Sequence, residues 1–276
     1  MRQLSCLVAK DNVVFYVVMN KMKENVLVTL ADKNYVDQAK QLFSSVYWNA
    51  GWKGDYLLLA HDIPEKDLRW FRDKGILIKK CKPLFDKDMG RRPVIFADKF
   101  YMFTEEFKKW KNVVYLDADI IVRASLDKLT KVKNFSAVND IMNCRVKEKA
   151  FLNKDLEKIK VLLNNFKKKY SLNHVLFNAG VMAFSTKIIQ EDTFEKLINL
   201  SKKYEKINFD GDQFIFNIYF YNRKILHRSY NVFTNFIDFF GTEKSSNIKR
   251  GVVLHFVMNN KPWRKENSFY DEWQHN

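Results

Sequence analysis

Three pairs of aspartates, each pair separated by one residue, are the part of the sequence whose residue types and spacing most directly suggest chemistry. The pairs are Asp86–Asp88, Asp117–Asp119 and Asp210–Asp212. The first lies in the charged stretch DKDMGRR, which is typical of a solvated loop. The last lies at the predicted start of a helix, where carboxylates cap free amide groups and offset the helix dipole. Only the middle pair directly follows an apolar strand, NVVYL at 112–116.

The position of Asp117 and Asp119 favours a binding role. Side chains at positions i and i+2 of an extended chain point the same way. In open α/β sheets, ligands bind in the crevice outside the carboxyl ends of the strands. Two carboxylates that converge there repel each other unless a cation is bound, and oxygen ligands suit Mg²⁺ or Mn²⁺. The alternative is that Asp119 caps a following turn while Asp117 pairs with a lysine.

The stretch VVLHF at 252–256 repeats this layout, because an apolar strand ends in His255. A single histidine after a strand is more often structural than a metal ligand. It becomes a candidate ligand if it lies near Asp119, and an imidazole would favour Mn²⁺ over Mg²⁺.

The elements that must position these residues alternate along the first half of the chain. Apolar patterns predict strands at 26–30, 55–64, 76–81 and 112–116, and helices at 35–49, 65–75 and 94–107. This alternation predicts a parallel α/β sheet. The second half is more mixed. It contains strand patterns at 135–138, 175–185, 225–230 and 251–257, helical patterns at 191–204 and 212–220, and a basic, helical excursion within 140–173.

Length and composition favour a single cytoplasmic domain. Of the 276 residues, 47% are hydrophobic, yet no apolar run approaches the ~18–20 residues that a membrane span needs. No secretory signal is evident, and the three cysteines show no metal or disulfide spacing. We expect one domain over residues 1–276, with a basic, aromatic tail at 264–276. The pattern at 1–22 assigns no role to this N-terminal extension, and an extra strand is one interpretation.

The net charge of +16 indicates anionic partners or simply a solubilising lysine face. One hypothesis is that the excursion and the tail dock peripherally on an anionic membrane. The lysines of the excursion are Lys147, Lys149, Lys154, Lys158, Lys160, Lys167, Lys168 and Lys169. The aromatic residues at the tail are Trp263, Phe269, Tyr270 and Trp273. No nucleic-acid partner is expected, because no RNA-binding aromatic motif or helix-turn-helix pattern is present. A non-catalytic binder of nucleic acid or membrane, and a nucleotidyltransferase, remain as alternatives at this point.

Four motifs in order carry a family resemblance: VVYLDADIIV, FNAGVMAFS (177–185), DGDQFIFN (210–217) and HFVMNNKPW (255–263). With VTLADKNY at the first strand, residues 25–263 resemble the retaining glycosyltransferases of family 8, which include glycogenin and bacterial lipooligosaccharide galactosyltransferases. The resemblance implies an α/β GT-A fold, with a mostly parallel nucleotide-binding sheet, flanking helices and a smaller acceptor-side portion. It also implies transfer of a hexose from UDP-glucose or UDP-galactose to a glycan, lipid-linked or protein acceptor.

The resemblance implies roles for individual residues. Mn²⁺, or Mg²⁺ in its place, would be held by Asp117, Asp119 and His255. The catalytic pair beside the anomeric carbon would be Asp212 and Gln213. Residues expected to contact the nucleotide sugar are Thr29, Leu30, Ala31, Tyr35, Lys99, Asp117, Ala118, Asp119, Asn178, Ala179, Gly180 and Lys261.

Met258 is a departure from the family pattern, which has glycine at this position. Glycine lets a backbone amide approach a phosphate without obstruction. We therefore expect Met258 to move its loop away from the diphosphate, with Lys261 compensating in part.

Overall fold

A seven-stranded mixed sheet forms the centre of the structure, which is a computed structural model. The structure describes residues 5–6, 16–17, 22–90, 92–140, 145, 156–208, 210–234, 250–259 and 261–276. The strands in chain order are β1 Ser5–Cys6, β2 Tyr16–Val17, β3 Lys23–Ala31, β4 Asp55–His61, β5 Leu77–Cys81, β6 Trp110–Leu116, β7 Ile120–Val122, β8 Ser136–Asn139, β9 Phe177–Ser185, β10 Lys224–Ile225, β11 Val232–Phe233 and β12 Val253–His255. The central sheet has the order β10-β8-β9-β6-β3-β4-β5.

The predicted parallel block is confirmed. Strands β6, β3, β4 and β5 are neighbours, and each adjacent pair is parallel. The strands are connected through α1 (Val36–Asn49) and α2 (Glu65–Asp73). The helix predicted at 94–107 is instead 3₁₀ structure, Val94–Phe103 and Glu105–Lys109. Its buried residues include Ala97, Phe100 and Phe103, and their three-residue spacing is compatible with the three residues per turn of a 3₁₀ helix.

The second half adds antiparallel pairing. Strand β9 lies between β6 and β8 and runs antiparallel to both. A separate three-stranded sheet has the order β11-β12-β7, in which β12 is antiparallel to β7. The predicted strand at 225–230 is wrong for most of its length, since only Lys224–Ile225 is extended and Arg228–Tyr230 forms a 3₁₀ turn.

Four further helices are α3 Leu156–Lys169, α4 Thr193–Tyr204, α5 Asp212–Tyr219 and α6 Tyr270–His275. Helix α3 confirms the helical part of the basic excursion, whose residues 141–144 and 146–155 lie outside the described residues. In the N-terminal extension, β1 and β2 pair with each other rather than with the central sheet. The rest of the predicted extension lies outside the described residues.

Aromatic packing on one face of the central sheet fixes the elements that carry the site. Phe103 stacks on Phe184 of β9 at 4.6 Å between ring centroids, and Phe135 stacks on Phe220 at 3.9 Å. Phe216 of α5 joins the same group. Helix α5 is therefore anchored against β9 by buried rings, which stabilise a single relative position of the two elements.

Trp273 of the aromatic tail packs in a separate hydrophobic cluster with Ile121, Leu254 and Phe256. Trp273 is only 6% exposed and packs near Trp263, with 5.2 Å between ring centroids. Arg123 pairs with Glu272 of α6 and holds the helix against the domain. The expectation that these aromatic residues face a membrane is therefore wrong for Trp273. Within the described residues, no helix combines the length and apolar character that crossing a membrane requires.

Candidate active site

Sheet pairing brings the two candidate metal-binding segments together. Asp117 follows β6, and its backbone amide donates to the carbonyl of Gly180 at 2.8 Å. The chain then enters β7, where Ile120 pairs with His255 at the end of β12. The amide of Phe256 donates to the carbonyl of Asp119 at 2.9 Å. The predicted aspartates and histidine therefore share one crevice because β7 pairs with β12.

Three side-chain atoms face one another in this crevice. His255 Nε2 lies 3.2 Å from Asp119 Oδ1 and 3.7 Å from Asp117 Oδ2. One ligand atom from each of the three residues lies within 4.8 Å of the other two. Two carboxylate oxygens and one imidazole nitrogen form a donor set that suits Mn²⁺. The predicted association of His255 with Asp117 and Asp119 is confirmed.

The remaining carboxylate oxygens have other partners. Asp117 Oδ1 accepts from the Tyr115 hydroxyl at 2.7 Å and lies 3.1 Å from Lys99 Nζ. Asp119 Oδ2 lies 2.5 Å from Lys261 Nζ. These contacts turn one oxygen of each aspartate away and leave the other directed toward His255.

The charge of Asp119 is favoured by its neighbours. Burial alone would raise the pKa of Asp119, but His255 and Lys261 outweigh burial and hold the pKa of this carboxyl well below its usual range. Asp119 is therefore an anion at neutral pH, as metal ligation requires.

The imidazole of His255 is oriented by Asn231. His255 is 2% exposed, and its Nδ1 lies 2.9 Å from Asn231 Oδ1. The amide of Asn231 donates in turn to Asn178 Oδ1 at 3.0 Å. When a metal ion is bound, a proton on Nδ1 that is donated to Asn231 would leave the Nε2 lone pair facing the ion. This is the usual arrangement around a metal-binding histidine.

Gly180 is required by close approach. A Cβ at this position would lie 2.2 Å from His255 Cε1 and 2.8 Å from Asp117 Oδ2. Only glycine therefore fits against the metal-binding face without displacing these two side chains.

A buried lysine connects the candidate metal site to the candidate catalytic pair. Lys99 Nζ lies 3.1 Å from Asp117 Oδ1 and 2.9 Å from Asp212 Oδ2. Burial would lower the pKa of Lys99, but Asp117 and Asp212 outweigh it and raise that pKa. Burial raises the pKa of the Asp212 carboxyl, and the ion pair with Lys99 opposes this shift. Lys99 therefore fixes the positions of both aspartates.

Gln213 is held by hydrogen bonds from two directions. Its Oε1 accepts from Asn178 Nδ2 and from the amide of Ala179, each at 3.1 Å, and its Nε2 donates to Asp140 Oδ2 at 3.2 Å. The predicted sugar-contacting residues and the predicted catalytic glutamine are thus adjacent. They form one rigid wall of the crevice.

These residues surround a cavity of about 420 Å³, within the usual range of ligand pockets. The predicted residues in its wall are Leu30, Ala31, Tyr35, Lys99, Asp117, Ala118, Asp119, Asn178, Ala179, Gly180, Asp212, Gln213, His255 and Lys261. Thr29 is not among them. It is fully buried beneath the cavity, where its hydroxyl donates to the carbonyl of Leu116 at 2.8 Å and joins β3 to β6.

Met258 lines the cavity and is 69% exposed, and its backbone is left-handed with φ of +63°. Glycine adopts this backbone conformation without strain, whereas a methionine does not.

The other two Asp-x-Asp pairs lie in the settings that the sequence predicted. Asp86 and Asp88 are exposed. Asp210 and Asp212 are buried at the start of α5, where Asp212 belongs to the first turn.

The residues that the structure adds to the predicted site include Tyr115, Asp140 and Asn231, each of which hydrogen-bonds a predicted residue. Tyr115 could have been found, because it lies two residues before Asp117 on the same strand face. Asp140 follows β8 directly and so has the same strand-end position as Asp117. Asn231 lies between short elements whose sequence shows no comparable pattern.

Comparisons with known proteins agree with this geometry. A profile of the family described as "Glycosyl transferase family 8" matches residues 26–267. Two glycosyltransferases of Streptococcus pneumoniae serotype 4 (strain ATCC BAA-334 / TIGR4) are similar to this chain. GlyD is 26% identical, over 90% of this chain and 30% of GlyD. GlyB is 24% identical, over 91% of this chain and 61% of GlyB. This chain thus spans 30% of the length of GlyD and 61% of the length of GlyB. The galactosyltransferase LgtC, solved with donor and acceptor sugar analogs, is similar with a TM-score of 0.66 and 18% identity, over 91% of this chain and 94% of that chain.

Proposed function

We propose that this chain, which belongs to glycosyl transferase family 8 and has the GT-A fold, transfers a hexose from UDP-glucose or UDP-galactose to an acceptor. In this proposal the reaction retains the anomeric configuration and requires Mn²⁺. The observation that carries the proposal is the convergence of Asp117, Asp119 and His255 on one side of a cavity of about 420 Å³. Mg²⁺ is the alternative ion, although the imidazole ligand favours Mn²⁺.

The donor set fits a divalent ion that binds a diphosphate. When bound, such an ion would neutralise negative charge on the diphosphate leaving group. The residues that would hold it are Asp117, Asp119 and His255. With an ion at Asp119 Oδ1, the ion pair that Lys261 makes with Oδ2 of the same carboxylate would weaken, because two cations would share one negative charge. Lys261 would then be available to contact the diphosphate.

The chemical step requires charge stabilisation at both ends of the breaking bond. Lys261 would contact the diphosphate, where a cation stabilises the negative charge that develops as the sugar–phosphate bond breaks. Asp212, which also lines the cavity, would orient the sugar and balance positive charge at the anomeric carbon. Its carboxylate is held by Lys99 at 2.9 Å, and this contact opposes its use as a nucleophile.

Retention is then best explained by attack of the acceptor from the leaving-group face. Gln213 is a poor nucleophile, and its Oε1 already accepts two hydrogen bonds. In the front-face reaction, the acceptor hydroxyl forms the new bond to the anomeric carbon while the bond to the phosphate oxygen breaks. The departing phosphate oxygen takes the acceptor proton. Double displacement through Asp212 is the competing mechanism.

The nucleotide would occupy the β3 side of the cavity. Leu30 and Ala31 end this strand at the cavity wall, and Tyr35 is 36% exposed there. The ring of Tyr35 makes an edge-on contact with Trp263 at 6.0 Å between centroids. An aromatic ring held in this way suits stacking of a uracil base.

The acceptor class is open among a saccharide, a lipid-linked glycan and a protein. LgtC was solved with an acceptor sugar analog, which favours a saccharide.

Peripheral contact with an anionic membrane stays a prediction for the exposed lysines of α3, Lys160 and Lys167 to Lys169. Sedimentation with anionic and neutral vesicles at low and high salt tests it, since binding of this kind is lost as salt screens the charges.

The decisive experiment is a screen of nucleotide sugars for Mn²⁺-dependent release of UDP. We expect release from UDP-glucose or UDP-galactose, its loss in Asp119→Asn, and no effect of the matched variant Asp86→Asn. Asp86 belongs to another Asp-x-Asp pair but is exposed. Pyrophosphate release from a nucleoside triphosphate would indicate a nucleotidyltransferase instead. Binding without release of either product would indicate a non-catalytic binder.

A further inference from the structure

A second concave surface lies on the outer side of α1 and α2, away from the candidate active site. It has a volume of about 550 Å³, and its wall includes Tyr47 and Trp48 of α1, Tyr56 of β4, and Trp70 and Asp73 at α2. We call it the aromatic cavity. Tyr35, at the other end of α1, lines the donor cavity. The 13-residue separation from Trp48 corresponds to ~20 Å along the helix.

The aromatic rings of this cavity are unusually accessible. Trp48 is 71% exposed and Tyr47 is 62% exposed, and their ring centroids lie 5.0 Å apart at 86°. Among the large hydrophobic side chains that are exposed in the described part of the chain, Tyr35 is the only other aromatic one, and it lies in the donor cavity. Two adjacent exposed rings at the edge of a concavity are a typical ligand-binding feature.

The cavity also contains a hydrogen-bonding group without a partner. The hydroxyl of Tyr56 is shielded from solvent and makes no hydrogen bond within the described residues. Burial and the nearby Tyr47 raise the pKa of Tyr56 to about 12, so this hydroxyl remains a donor at neutral pH. The carboxylate of Asp73 is 67% exposed at the rim and can accept hydrogen bonds. An unpaired shielded hydroxyl costs free energy that a suitable ligand would recover.

We propose that the aromatic cavity is a second saccharide-binding site that holds a neutral pyranose chain. A pyranose ring presents an apolar C–H face, which stacks on exposed aromatic rings, and a rim of hydroxyls, which pair with groups such as Tyr56 and Asp73. A lipid surface fits less well, because the cavity is concave and its unpaired hydroxyl would gain no partner in hydrocarbon. The choice of a saccharide rests on the proposed function, whose acceptor or product is a glycan.

The test is direct binding of maltohexaose and cellohexaose, which are α-linked and β-linked glucose chains, to the 276-residue chain without donor or metal. Saturation-transfer NMR and tryptophan fluorescence report binding. We expect Trp48→Ala to weaken the binding of at least one of these saccharides by about tenfold or more, equivalent to about 1.4 kcal/mol. Tyr56→Phe, which removes only the hydroxyl, should weaken it by a smaller factor. The matched control is Val161→Ala, an apolar residue of α3 that is 74% exposed and lies outside this cavity.

Two results would overturn the proposal. One is absence of binding by both saccharides up to about 10 mM, which corresponds to less than ~3 kcal/mol of binding free energy. The other is binding that Trp48→Ala leaves unchanged. Concentration-dependent self-association that Trp48→Ala abolishes, in a protein that binds neither saccharide, would identify the surface as a protein interface. Release of UDP from the donor is measured separately in the same variants, so failure of this site and failure of the proposed activity are distinguishable.

Discussion

Replacing Gly180 by alanine should disable the candidate metal site through one added methyl group. The new Cβ would lie 2.2 Å from His255 Cε1, whereas carbon atoms in contact lie ~3.5–4.0 Å apart. The imidazole would therefore have to move by roughly 1.3 Å or more. Metal–ligand distances tolerate changes of only about 0.2 Å. We expect Mn²⁺ affinity to fall by about 10–100-fold or more, as when a group that orients a ligand is removed.

The assay is calorimetric titration of Mn²⁺ into the protein without nucleotide sugar, paired with urea unfolding of the metal-free protein. Overpacking of this kind costs about 1–3 kcal/mol, so the variant is expected to fold with reduced stability. Gly75→Ala is the matched control, because Gly75 has a φ of +72° but no atom within 4 Å of an added Cβ. It should lose stability without losing metal affinity. Wild-type Mn²⁺ affinity in Gly180→Ala would refute the assignment of His255 as a ligand.

Other variants test the remaining roles. Asp119→Asn should abolish sugar transfer with little change in the urea midpoint, and near-normal turnover at saturating Mn²⁺ would contradict its role. Lys261→Ala should lower kcat by about 10²-fold, as for loss of one transition-state donor, whereas an effect on KM alone would indicate uniform substrate binding. Burial and Arg223 lower the pKa of His174 to about 4, so the stability that neutral His174 contributes is complete above its unfolded pKa of about 6.5 and is lost as pH falls toward 4. Unfolding free energy should drop by about 1 kcal/mol between pH 7.5 and 5 through this group, because solvent at the partly exposed His174 screens its charge. His174→Gln should remove that part of the pH dependence. Met258→Gly should raise the unfolding free energy by about 1 kcal/mol, because glycine adopts the left-handed backbone without strain, and an unchanged urea midpoint would argue against strain at this position.

The part of the site on β6 was predictable because its sequence pattern is local. An uninterrupted apolar strand ends at Leu116, and the two aspartates follow at the spacing that places both on one side. The first-half alternation of strands and helices likewise specified a parallel block, since a parallel connection needs a helical crossover. These features depend on short stretches that a single sequence displays directly.

The direction of β9 could not be predicted from its pattern. Almost all of its residues are buried, from Phe177 to Ser185, because helices or turns cover both faces. A strand buried on both sides shows a continuous apolar run. Such a run does not indicate whether the strand pairs parallel or antiparallel to its neighbours. Strand β7 was missed for a different reason, since its three residues follow Asp119 too closely to be separated from β6.

Long-range contacts limited the remaining predictions. The ion pairs of Lys99 with Asp117 and Asp212 join residues with no sequence relationship, so only resemblance indicated its position. The tail illustrates the same limit. Its mixture of basic and aromatic residues is compatible with an exposed surface, yet Trp273 is buried against β7 and β12 neighbours. Composition does not specify which aromatic rings face inward.

The pairing of β7 with β12 has a consequence for the order in which the chain acquires its shape. The ion pair between Asp119 and Lys261 joins residues 142 positions apart, and it forms beside this strand pairing. Contacts of such long sequence separation form slowly, because the intervening chain must first be ordered. During synthesis, β6 and the first half of the sheet can fold well before Lys261 has been added. We therefore expect the ability to bind a nucleotide sugar to appear late in folding, after the sheet itself, so that donor binding distinguishes fully folded molecules from those that have only acquired secondary structure.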